Sequence, residues 1–422
     1  MSKPYVTLLG KAVRYIARLR GGGSALPGLF VEKIDPDFVR RTLAQLPDGV
    51  VVISGTNGKT TTTKMVVELL QSQGLKVFTN RTGSNFIRGI AAALLGEVDT
   101  KGKLDADIAV LELDEAHGVH FVKNIAPRYS LFLNVMRDQL DRFGEIDTTA
   151  KMLAKIAAAT TEAVVINRED PRLRAVGKIL KDTDVHYYGL DSSLLSSFPS
   201  DDDMLAGSAQ KSTSLEAKVI LSSIKDNEAT FKINNKPVST TLELQGIYNV
   251  YNAAAALALV QVIMGEKVDQ ETLIKKLAHI QPAFGRGETI TIGSQPLELV
   301  LVKNPSGFRL SLASFSPEDY ATMIAINDNY ADGRDMSWLW DVDFASLSGG
   351  VSMVSGVRAY DMALRLQYDE ITLSHVEPDL PKALQEFITS EADLPKRIYC
   401  TYTAMLRLRR ELSKITDVEQ VS

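Results

Sequence analysis

The fold of this chain is decided by one stretch, Val50-Val51-Val52-Ile53-Ser54-Gly55-Thr56-Asn57-Gly58-Lys59-Thr60-Thr61-Thr62. Its β-branched start predicts a strand buried on both faces, and from Thr60 the pattern becomes helical. A strand that passes through glycines and a Lys-Thr pair into a helix is the context of a phosphate-binding loop. The match is imperfect, because the common form has its first glycine at the position of Ile53. A merely structural turn is the alternative, and nucleotide binding is our prediction.

The residue types of this loop suit phosphate chemistry. Glycines allow backbone N–H groups to approach phosphate oxygens, and the N-terminus of a helix adds partial positive charge. We expect Lys59 to neutralise the β- and γ-phosphates and the hydroxyl of Thr60 to hold Mg²⁺.

Three carboxylates follow another predicted strand, in Glu112-Leu113-Asp114-Glu115. Carboxylates are the hard oxygen ligands that Mg²⁺ prefers. Strand alternation would put Glu112 and Asp114 on one side and Glu115 on the other. A solvated acidic strand end is the alternative, but beside a phosphate loop we favour a metal site.

Strand-like and helical patterns alternate outward from the loop. Further strands are predicted at Val77-Phe78, Ile108 to Leu113, Tyr129 to Asn134 and Ala163 to Asn167. This rhythm predicts a parallel sheet with helices on both faces, which binds its ligand at the carboxyl ends of the strands. Ser192 to Ser214 is rich in Ser and Asp and predicts a loop. Two antiparallel strands and two helices are predicted after it, at Ala217 to Ile224, Glu228 to Ile233, Asn249 to Met264 and Gln270 to His279.

A second α/β domain is predicted beyond a hinge at Pro282 to Gly287. Its expected strands and helix are Leu297 to Val302, Thr322 to Asn327, Gly350 to Ser355 and Tyr360 to Gln367. We therefore expect an N-terminal helical segment at 1–45, a central nucleotide-binding domain at 46–288 and a smaller C-terminal α/β domain at 289–422.

Composition limits the class of protein. The chain has 422 residues, of which 45% are apolar and 23% charged, so it can bury a sizeable core. Its net charge of −5 argues against a dedicated nucleic-acid binder. The longest apolar stretch, Ala253 to Met264, is shorter than the ~20 residues of a membrane span, and no leader pattern opens the chain. We expect a cytoplasmic protein without a transmembrane segment.

The first twenty residues carry Lys3, Lys11, Arg14, Arg18 and Arg20 and no acid, with apolar residues at helical spacing. They predict a basic amphipathic helix. We favour a helix that packs on the body with a solvated basic face, and a membrane-surface helix is the alternative.

Four segments resemble the Mur ligase superfamily, whose members activate a carboxylate with ATP as an acyl phosphate that an amine then attacks. Ser54 to Thr60 is similar to the family's phosphate loop, and Gly246-Ile247-Tyr248-Asn249-Val250-Tyr251-Asn252 resembles its adenine-binding turn. Gly285-Arg286-Gly287-Glu288 resembles the following segment, whose arginine reaches the ATP phosphates. Asn134 to Asp141 resembles the family's strand-end motif, but Gln139 stands where most members have a histidine near a second metal, so the binding of a second Mg²⁺ stays open.

Loop and resemblance together predict the ligands of the site. The ATP-binding residues are expected to be Gly55, Thr56, Asn57, Gly58, Lys59, Thr60, Thr61, Asn249, Asn252 and Arg286. The Mg²⁺ ligands are expected to be Thr60, Glu112 and Glu115.

A narrower resemblance, to the MurT branch of this superfamily, covers nearly the whole chain. It rests on Arg137 to Asp147, Lys303-Asn304-Pro305-Ser306-Gly307, Asn327 to Trp338 and Gly356-Val357-Arg358-Ala359. The branch amidates the α-carboxylate of D-glutamate in lipid II to D-isoglutamine, a step of peptidoglycan synthesis. The resemblance thus implies a carbon–nitrogen ligase acting at the inner face of the cell membrane. Many members carry a four-cysteine zinc ribbon, but Ser192 to Ser214 has no cysteine, so we predict no zinc.

The resemblance also implies a partner. Glutamine hydrolysis normally needs an activated cysteine, and the only one here, Cys400, lies in an apolar strand-like run typical of a buried structural thiol. The branch pairs with a GatD-type class I glutamine amidotransferase in a heterodimer. An aspartate of its C-terminal domain completes the partner's Cys-His-Asp triad, and the match puts that role on Asp335, with Asp332 as the second choice.

Two other functions remain open from the sequence. One is a single-chain Mur- or folylpolyglutamate-synthase-like ligase that joins an amino acid. The other is a non-catalytic nucleotide-binding scaffold, against which the intact Lys59, Thr60 and acidic residues argue.

Overall fold

The computed structural model describes residues 4–19, 26–80, 86–137, 146–198, 213–225, 227–244, 246–281, 286–293, 295–314, 319–390 and 393–418. These residues form two sheets, of nine and six strands, with helices packed against them. The prediction of an α/β protein with a mainly parallel sheet and a smaller second α/β unit is therefore confirmed.

The phosphate loop follows a strand of the first sheet. Its strands are β1 (Val50–Ser54), β2 (Val77–Thr79), β3 (Ile108–Glu112), β4 (Tyr129–Phe132), β5 (Ala163–Asn167), β6 (Asp184–Leu190), β7 (Val219–Lys225), β8 (Glu228–Ile233) and β9 (Lys236–Thr241). They lie in the order β2-β3-β1-β4-β5-β6-β7-β8-β9. Pairing is parallel as far as β7 and antiparallel from β7 to β9. The predicted parallel strands and the predicted antiparallel pair are confirmed, whereas β6 and β9 were not predicted.

Helices cover both faces of this sheet. They are α1 (Pro4–Leu19), α2 (Leu26–Ile34), α3 (Phe38–Leu43), α4 (Lys59–Ser72), α5 (Ile87–Glu97), α6 (Glu115–Val122), α7 (Ile146–Ala158), α8 (Pro171–Ile179), α9 (Ile247–Met264) and α10 (Gln270–Ala278). Val51 and Ile53 pack in one cluster with α4 and α9, whereas Val50 and Val52 pack in another with α5 and α7. Because β1 is buried on both faces, its sequence is an unbroken β-branched run.

The central core helix is α9, whose residues Ala253 to Gln261 are all buried. It packs against α4 and against β5, β6 and β7. By length and composition the helix is also apolar enough to cross a membrane, but most of it lies inside the protein, so this is weak evidence for a span.

The second sheet begins inside the predicted hinge. Its strands are β10 (Arg286–Ile292), β11 (Gln295–Leu301), β12 (Ala321–Ala325), β13 (Val351–Ser355), β14 (Leu373–Glu377) and β15 (Lys396–Cys400), in the order β10-β11-β15-β12-β13-β14. Only the β10–β11 pair is antiparallel among these neighbours. Its helices are α11 (Pro305–Ser314), α12 (Ala359–Tyr368), α13 (Leu380–Thr389) and α14 (Tyr402–Leu412). The predicted boundary at residue 288 falls within β10, and the domain limits stay a prediction.

The predicted loop from Ser192 to Ser214 is only partly described. It opens with a short 3₁₀ helix, Ser192–Ser197, and residues 199–212 lie outside the described part of the chain. The absence of zinc there stays a prediction.

Candidate functional site: a phosphate loop facing the second sheet

The phosphate loop leaves the carboxyl end of β1 through two glycines in unusual conformations. Gly55 has φ of +132° and Gly58 has φ of +86°, in the region that favours glycine. A Cβ on Gly58 would lie 2.7 Å from Oδ1 of Asn252, which places this side chain of α9 against the loop. Gly58 ends the loop as the N-cap of α4, whose first turn has no acid. The backbone N–H groups and the partial positive charge at the N-terminus of a helix suit an anion.

The loop is held by the end of the adjacent strand β4. Asn57 N donates to Asn134 Oδ1 over 2.9 Å, and Asn134 Nδ2 donates to Asn57 O over 3.0 Å. The Thr56 hydroxyl accepts from Met136 N at 3.0 Å. These bonds fix the backbone that would contact phosphate, so Asn134 is a positioning residue that the sequence indicated only as a strand end.

A hydroxyl–carboxylate pair forms beside the loop. Thr60 Oγ1 donates to Glu112 Oε1 over 3.0 Å, and Glu112 is 7% exposed. The backbone of Glu112 is held by Asn80, which donates to its carbonyl over 2.9 Å and accepts from its N–H over 3.0 Å. Two of the three predicted Mg²⁺ ligands are therefore adjacent, and both offer hard oxygen atoms.

The expected placement of the acidic residues by strand alternation was wrong. Strand β3 ends at Glu112, Asp114 is the N-cap of α6, and Glu115 lies in the first turn of that helix. The chain turns there, so Glu115 is directed by a helix and not by a strand. Its carboxylate lies 3.9 Å from Lys59 Nζ.

Lys59 and Glu115 form a buried charge pair, 6% and 3% exposed. Lys59 Nζ also donates to the carbonyls of Gly55 and Thr56, the latter over 3.2 Å. Burial raises the pKa of Glu115 above its ordinary value, although the charge of Lys59 opposes the rise. The loop thus holds the ammonium of Lys59 between two of its own carbonyls and the carboxylate of Glu115.

A cavity of about 360 Å³ joins the loop to the second sheet. From the first unit it is lined by Thr56, Asn57, Gly58, Lys59, Thr60, Thr61, Glu112, Asp114, Asn134, Gly246, Tyr248, Asn249 and Asn252. From the second it is lined by Val300, Leu301, Lys303, Gly307, Leu310, Ser311, Ser314, Ala331 and Tyr402. The Thr61 hydroxyl is buried at this site without a hydrogen-bond partner in the described part of the chain.

The structure thus brings together most of the predicted ATP- and Mg²⁺-binding residues. Asn249 and Asn252, nearly two hundred positions from the loop, border the same cavity. Lys303 also borders it, although the sequence assigned it no role. The side chain of Arg286, and all of residues 138–145 and 282–285, lie outside the described residues, so the expectations placed on Arg286, Gln139 and Gly285 stay predictions.

The two candidate aspartates of the second unit differ in their surroundings. Asp332 is 3% exposed and accepts from Thr403 N at 2.7 Å and Asn329 N at 3.1 Å. Asp335 is half-buried and accepts from Ser337 N at 2.9 Å. Hydrogen bonding from the side chain of Ser337, and then from its backbone, holds the pKa of Asp335 below the ordinary value. Asp335 therefore carries a charge at neutral pH and is the more accessible of the two.

Cys400 is fully buried at the end of β15, and burial raises the pKa of its thiol. The prediction of a buried structural cysteine is confirmed. A protonated and inaccessible thiol is a poor nucleophile.

Comparisons with known proteins agree with this geometry. Residues 53–260 match the family model of the Mur ligase middle domain, and residues 301–405 match that of the MurT ligase C-terminal region. The chain is 30% identical over 441 residues to the lipid II isoglutaminyl synthase (glutamine-hydrolyzing) subunit MurT of Streptococcus pneumoniae, covering 96% of both chains. It is also 30% identical to the protein of the same name from Staphylococcus aureus, covering 89% of this chain and 90% of that one.

A solved structure shares the fold of this chain. A pseudomurein peptide ligase type C from Methanothermus fervidus superposes with a TM-score of 0.69 at 19% identity, over 90% of this chain and 81% of that one. Since the sequence relatives match over nearly the full length of both chains, this protein belongs to the MurT family of Mur ligases.

Proposed function

We propose that this protein is the ATP-dependent ligase subunit of an enzyme that amidates the α-carboxylate of D-glutamate in lipid II. The observation that carries the proposal is the cavity in which a phosphate loop and a carboxylate face Lys303 and other residues of the MurT-type C-terminal unit. A carboxylate substrate can meet a phosphate donor there. The alternative of a non-catalytic scaffold does not account for the buried Lys59–Glu115 pair and the Thr60–Glu112 contact.

The site fits ATP with Mg²⁺. Backbone N–H groups at the start of α4 and the ammonium of Lys59 would bind phosphate oxygens. The Thr61 hydroxyl, which has no hydrogen-bond partner among the described residues, offers a further donor. Asn249 and Asn252 would contact the base. Thr60 and Glu112, with Glu115 behind Lys59, would hold the metal, which neutralises charge on the transferred phosphoryl group.

The chemistry overcomes the low reactivity of a carboxylate. One carboxylate oxygen attacks the terminal phosphorus of ATP, which gives an acyl phosphate and releases ADP. Ammonia then attacks the carbonyl carbon, and phosphate leaves with the C–O electron pair as the amide forms. The residues of the loop act by positioning and by electrostatic stabilisation, which is the main role of protein groups in phosphoryl transfer.

The ammonia would come from a GatD-type glutaminase subunit. The chain has a single cysteine, and that thiol is buried and protonated, so it cannot hydrolyse glutamine. We propose that Asp335, charged and half-buried, orients the histidine of the partner's catalytic triad. Asp332 is the weaker candidate, because its carboxylate is already satisfied by Thr403 and Asn329.

An exposed aromatic surface, one member of which follows Asp335 closely in the sequence, supports a docked partner. We call it the aromatic face, and it consists of Trp340, Tyr360, Leu364 and Tyr368, exposed by 48%, 70%, 51% and 73%. Tyr360, Leu364 and Tyr368 recur on one side of α12, and Trp340 packs against Tyr368 at 5.2 Å between ring centroids. Tyrosine and tryptophan are enriched in protein–protein interfaces. The 3₁₀ helix that carries Trp340 begins two residues after Asp335.

We also propose that the enzyme works in the cytoplasm at the inner face of the membrane, binds no nucleic acid and needs no zinc. The net charge of −5 supports the absence of nucleic acid, and the single cysteine supports the absence of a four-cysteine site.

Amidation of lipid II tests the proposal directly. The purified chain would be assayed with ATP and Mg²⁺ in three arms: glutamine alone, glutamine with a co-expressed GatD-type partner, and ammonium chloride alone. Mass spectrometry of the stem peptide would report the product. We expect product in the second arm, product with ammonium, and none with glutamine alone.

Two outcomes would overturn this function. Failure of all three arms, with ATP turnover when a free amino acid is added, would indicate a single-chain amino-acid ligase. Failure of all three arms without turnover of ATP on any acceptor, while the partner's glutaminase activity responds to nucleotide, would indicate a regulatory scaffold.

A further inference from the structure

The N-terminal helix α1 presents an apolar surface to solvent. Five large side chains form it, which we call the α1 stripe: Tyr5, Leu8, Leu9, Tyr15 and Ile16, exposed by 59%, 53%, 48%, 66% and 50%. Their spacing of three, four and seven residues places them on one side of the helix. The predicted basic face is therefore only part of the surface of α1, because the most exposed side of the helix is apolar.

The body of the protein fixes this orientation. The opposite side of α1 carries Val6, Thr7 and Gly10, which are buried. A Cβ on Gly10 would lie 2.7 Å from Leu95 and 2.8 Å from Val31, so the backbone of α1 approaches α5 and α2 closely. Because the small side of the helix packs inward, the large apolar side is held outward before any ligand binds.

Positive charge accompanies the stripe. The first twenty residues contain five of the chain's 47 Lys and Arg and none of its 52 Asp and Glu. Lys11 lies within α1 itself, at the edge of the stripe.

We propose that the α1 stripe docks on an anionic phospholipid surface. A helix with an apolar side, tyrosines at that side and basic residues beside it lies in the headgroup region of a bilayer, and anionic lipid adds electrostatic attraction. A protein partner fits less well, because one helix of 16 residues spans only ~24 Å and a stable interface uses roughly 20–30 residues a side. The surface does not depend on the proposed amidation, although it would bring the active site to a lipid-linked substrate.

Vesicle flotation of the full chain tests the proposal without any enzymatic readout. Vesicles of phosphatidylcholine, and of phosphatidylcholine with phosphatidylglycerol at equal parts, would be used without lipid II. We expect the protein to float with the anionic vesicles, less with the neutral ones, and to be released at high salt. Leu8→Glu combined with Ile16→Glu should weaken binding on the order of tenfold or more, because two apolar contacts are replaced by acids.

The matched control is Ile179→Glu combined with Ile415→Glu, which changes the charge equally at positions exposed by 63% and 56% elsewhere. It should bind vesicles like the unmodified chain. Circular dichroism would confirm folding, and Tyr5→Ser with Tyr15→Ser is a milder second pair if the acidic pair fails to fold.

Three results would overturn the proposal. These are no flotation of the unmodified chain with anionic vesicles, equal flotation of the stripe and control variants, or a change of oligomeric state by the stripe variant in solution. The last result would assign the stripe to a second copy of the chain.

Discussion

At the scale of single residues, the site depends on one buried cation. Lys59 is fixed by the Gly55 and Thr56 carbonyls and by Glu115, so its ammonium needs little reorganisation to meet a phosphate. We expect Lys59→Ala to lower ATP- and ammonium-dependent amidation on the order of 10²- to 10³-fold, since it removes a preorganised charge. Lys64→Ala, on the same helix but paired with Glu68 at the surface, is the control and should retain activity.

Complex formation provides the second readout for Lys59. The residue lies within the cavity, so co-purification with the glutaminase subunit should be unchanged. A variant that retained normal amidation would contradict the assignment of Lys59 to phosphate.

The assignment of Asp335 predicts a separation of two activities. Asp335→Asn keeps the size of the side chain but removes the charge that would stabilise a protonated histidine. We expect glutamine-dependent amidation and glutaminase activity of the complex to fall by about 10²- to 10⁴-fold, with ammonium-dependent amidation retained. Equal loss with both nitrogen sources would place Asp335 in the ligase site instead.

A matched control exists for Asp335. Asp343 accepts from the N–H two residues ahead, Ala345 N, at 2.8 Å, just as Asp335 accepts from Ser337 N. Asp343→Asn therefore disturbs the same type of turn, and both activities should persist in that variant.

At the scale of elements, the central strands could be predicted from the sequence, because runs of apolar and β-branched residues specify them. The runs at β1, β3, β4 and β5 are buried on both faces, so their residue types alone identify them as central strands. The start of α6 was missed, although Asp114 before an acidic first turn is a helix-start signal. The alternation of a strand was extended past Glu112, where β3 ends, and the position of Glu115 was therefore predicted wrongly.

Helix α12 carries the element-scale prediction about the partner. Its buried side, with Met362 and Leu366, packs in the core, and its exposed side forms most of the aromatic face. We expect Tyr360→Ala combined with Tyr368→Ala to weaken binding of the glutaminase subunit by about 10- to 100-fold, because aromatic anchors dominate interface energies. Calorimetric titration or co-purification would measure the effect.

The control for the aromatic face is Tyr15→Ala. Tyr15 is 66% exposed, close to Tyr360 and Tyr368 in exposure, but lies on α1. It should leave partner affinity unchanged, and the α12 variant should retain ammonium-dependent activity. Unchanged affinity in the α12 variant would place the partner elsewhere.

At the scale of the whole molecule, the cavity depends on contacts that no local pattern encodes. Lys303 follows β11 of the second sheet, more than two hundred residues after the phosphate loop, yet borders the same space. Asn304 Nδ2 lies 3.4 Å from Asn57 Oδ1, and Ser306 Oγ donates to Arg137 O over 3.0 Å. Sequence reasoning identified these residues by resemblance but could not place them opposite the loop, because docking of the two sheets is a tertiary property.

Global stability should depend on pH through two helix caps of opposite behaviour. Asp170 caps α8 and also accepts from Val135 N at 2.7 Å, next to the Asn134 that holds the phosphate loop. Burial raises its pKa to about 6, although three backbone N–H groups oppose the rise. Asp269 caps α10 at the surface, where bonds to Thr272 lower its pKa.

The two caps therefore change the free energy of unfolding with pH in opposite directions. Between about pH 4 and pH 6 folded Asp170 retains a proton that the unfolded chain has lost, so its contribution to the free energy of unfolding falls as pH rises, on the order of 3 kcal/mol in total. Asp269 contributes stability above the unfolded pKa of an aspartate and loses it as pH falls through its lower folded pKa.

Urea unfolding from pH 3 to pH 8 would compare the unmodified chain with Asp170→Asn and Asp269→Asn. The stability of the unmodified chain relative to Asp170→Asn should fall between pH 4 and pH 6, and relative to Asp269→Asn it should fall only toward acid pH. Parallel curves for the unmodified chain and Asp170→Asn would show that Asp170 has an ordinary pKa, and the N–H groups around it would then outweigh its burial.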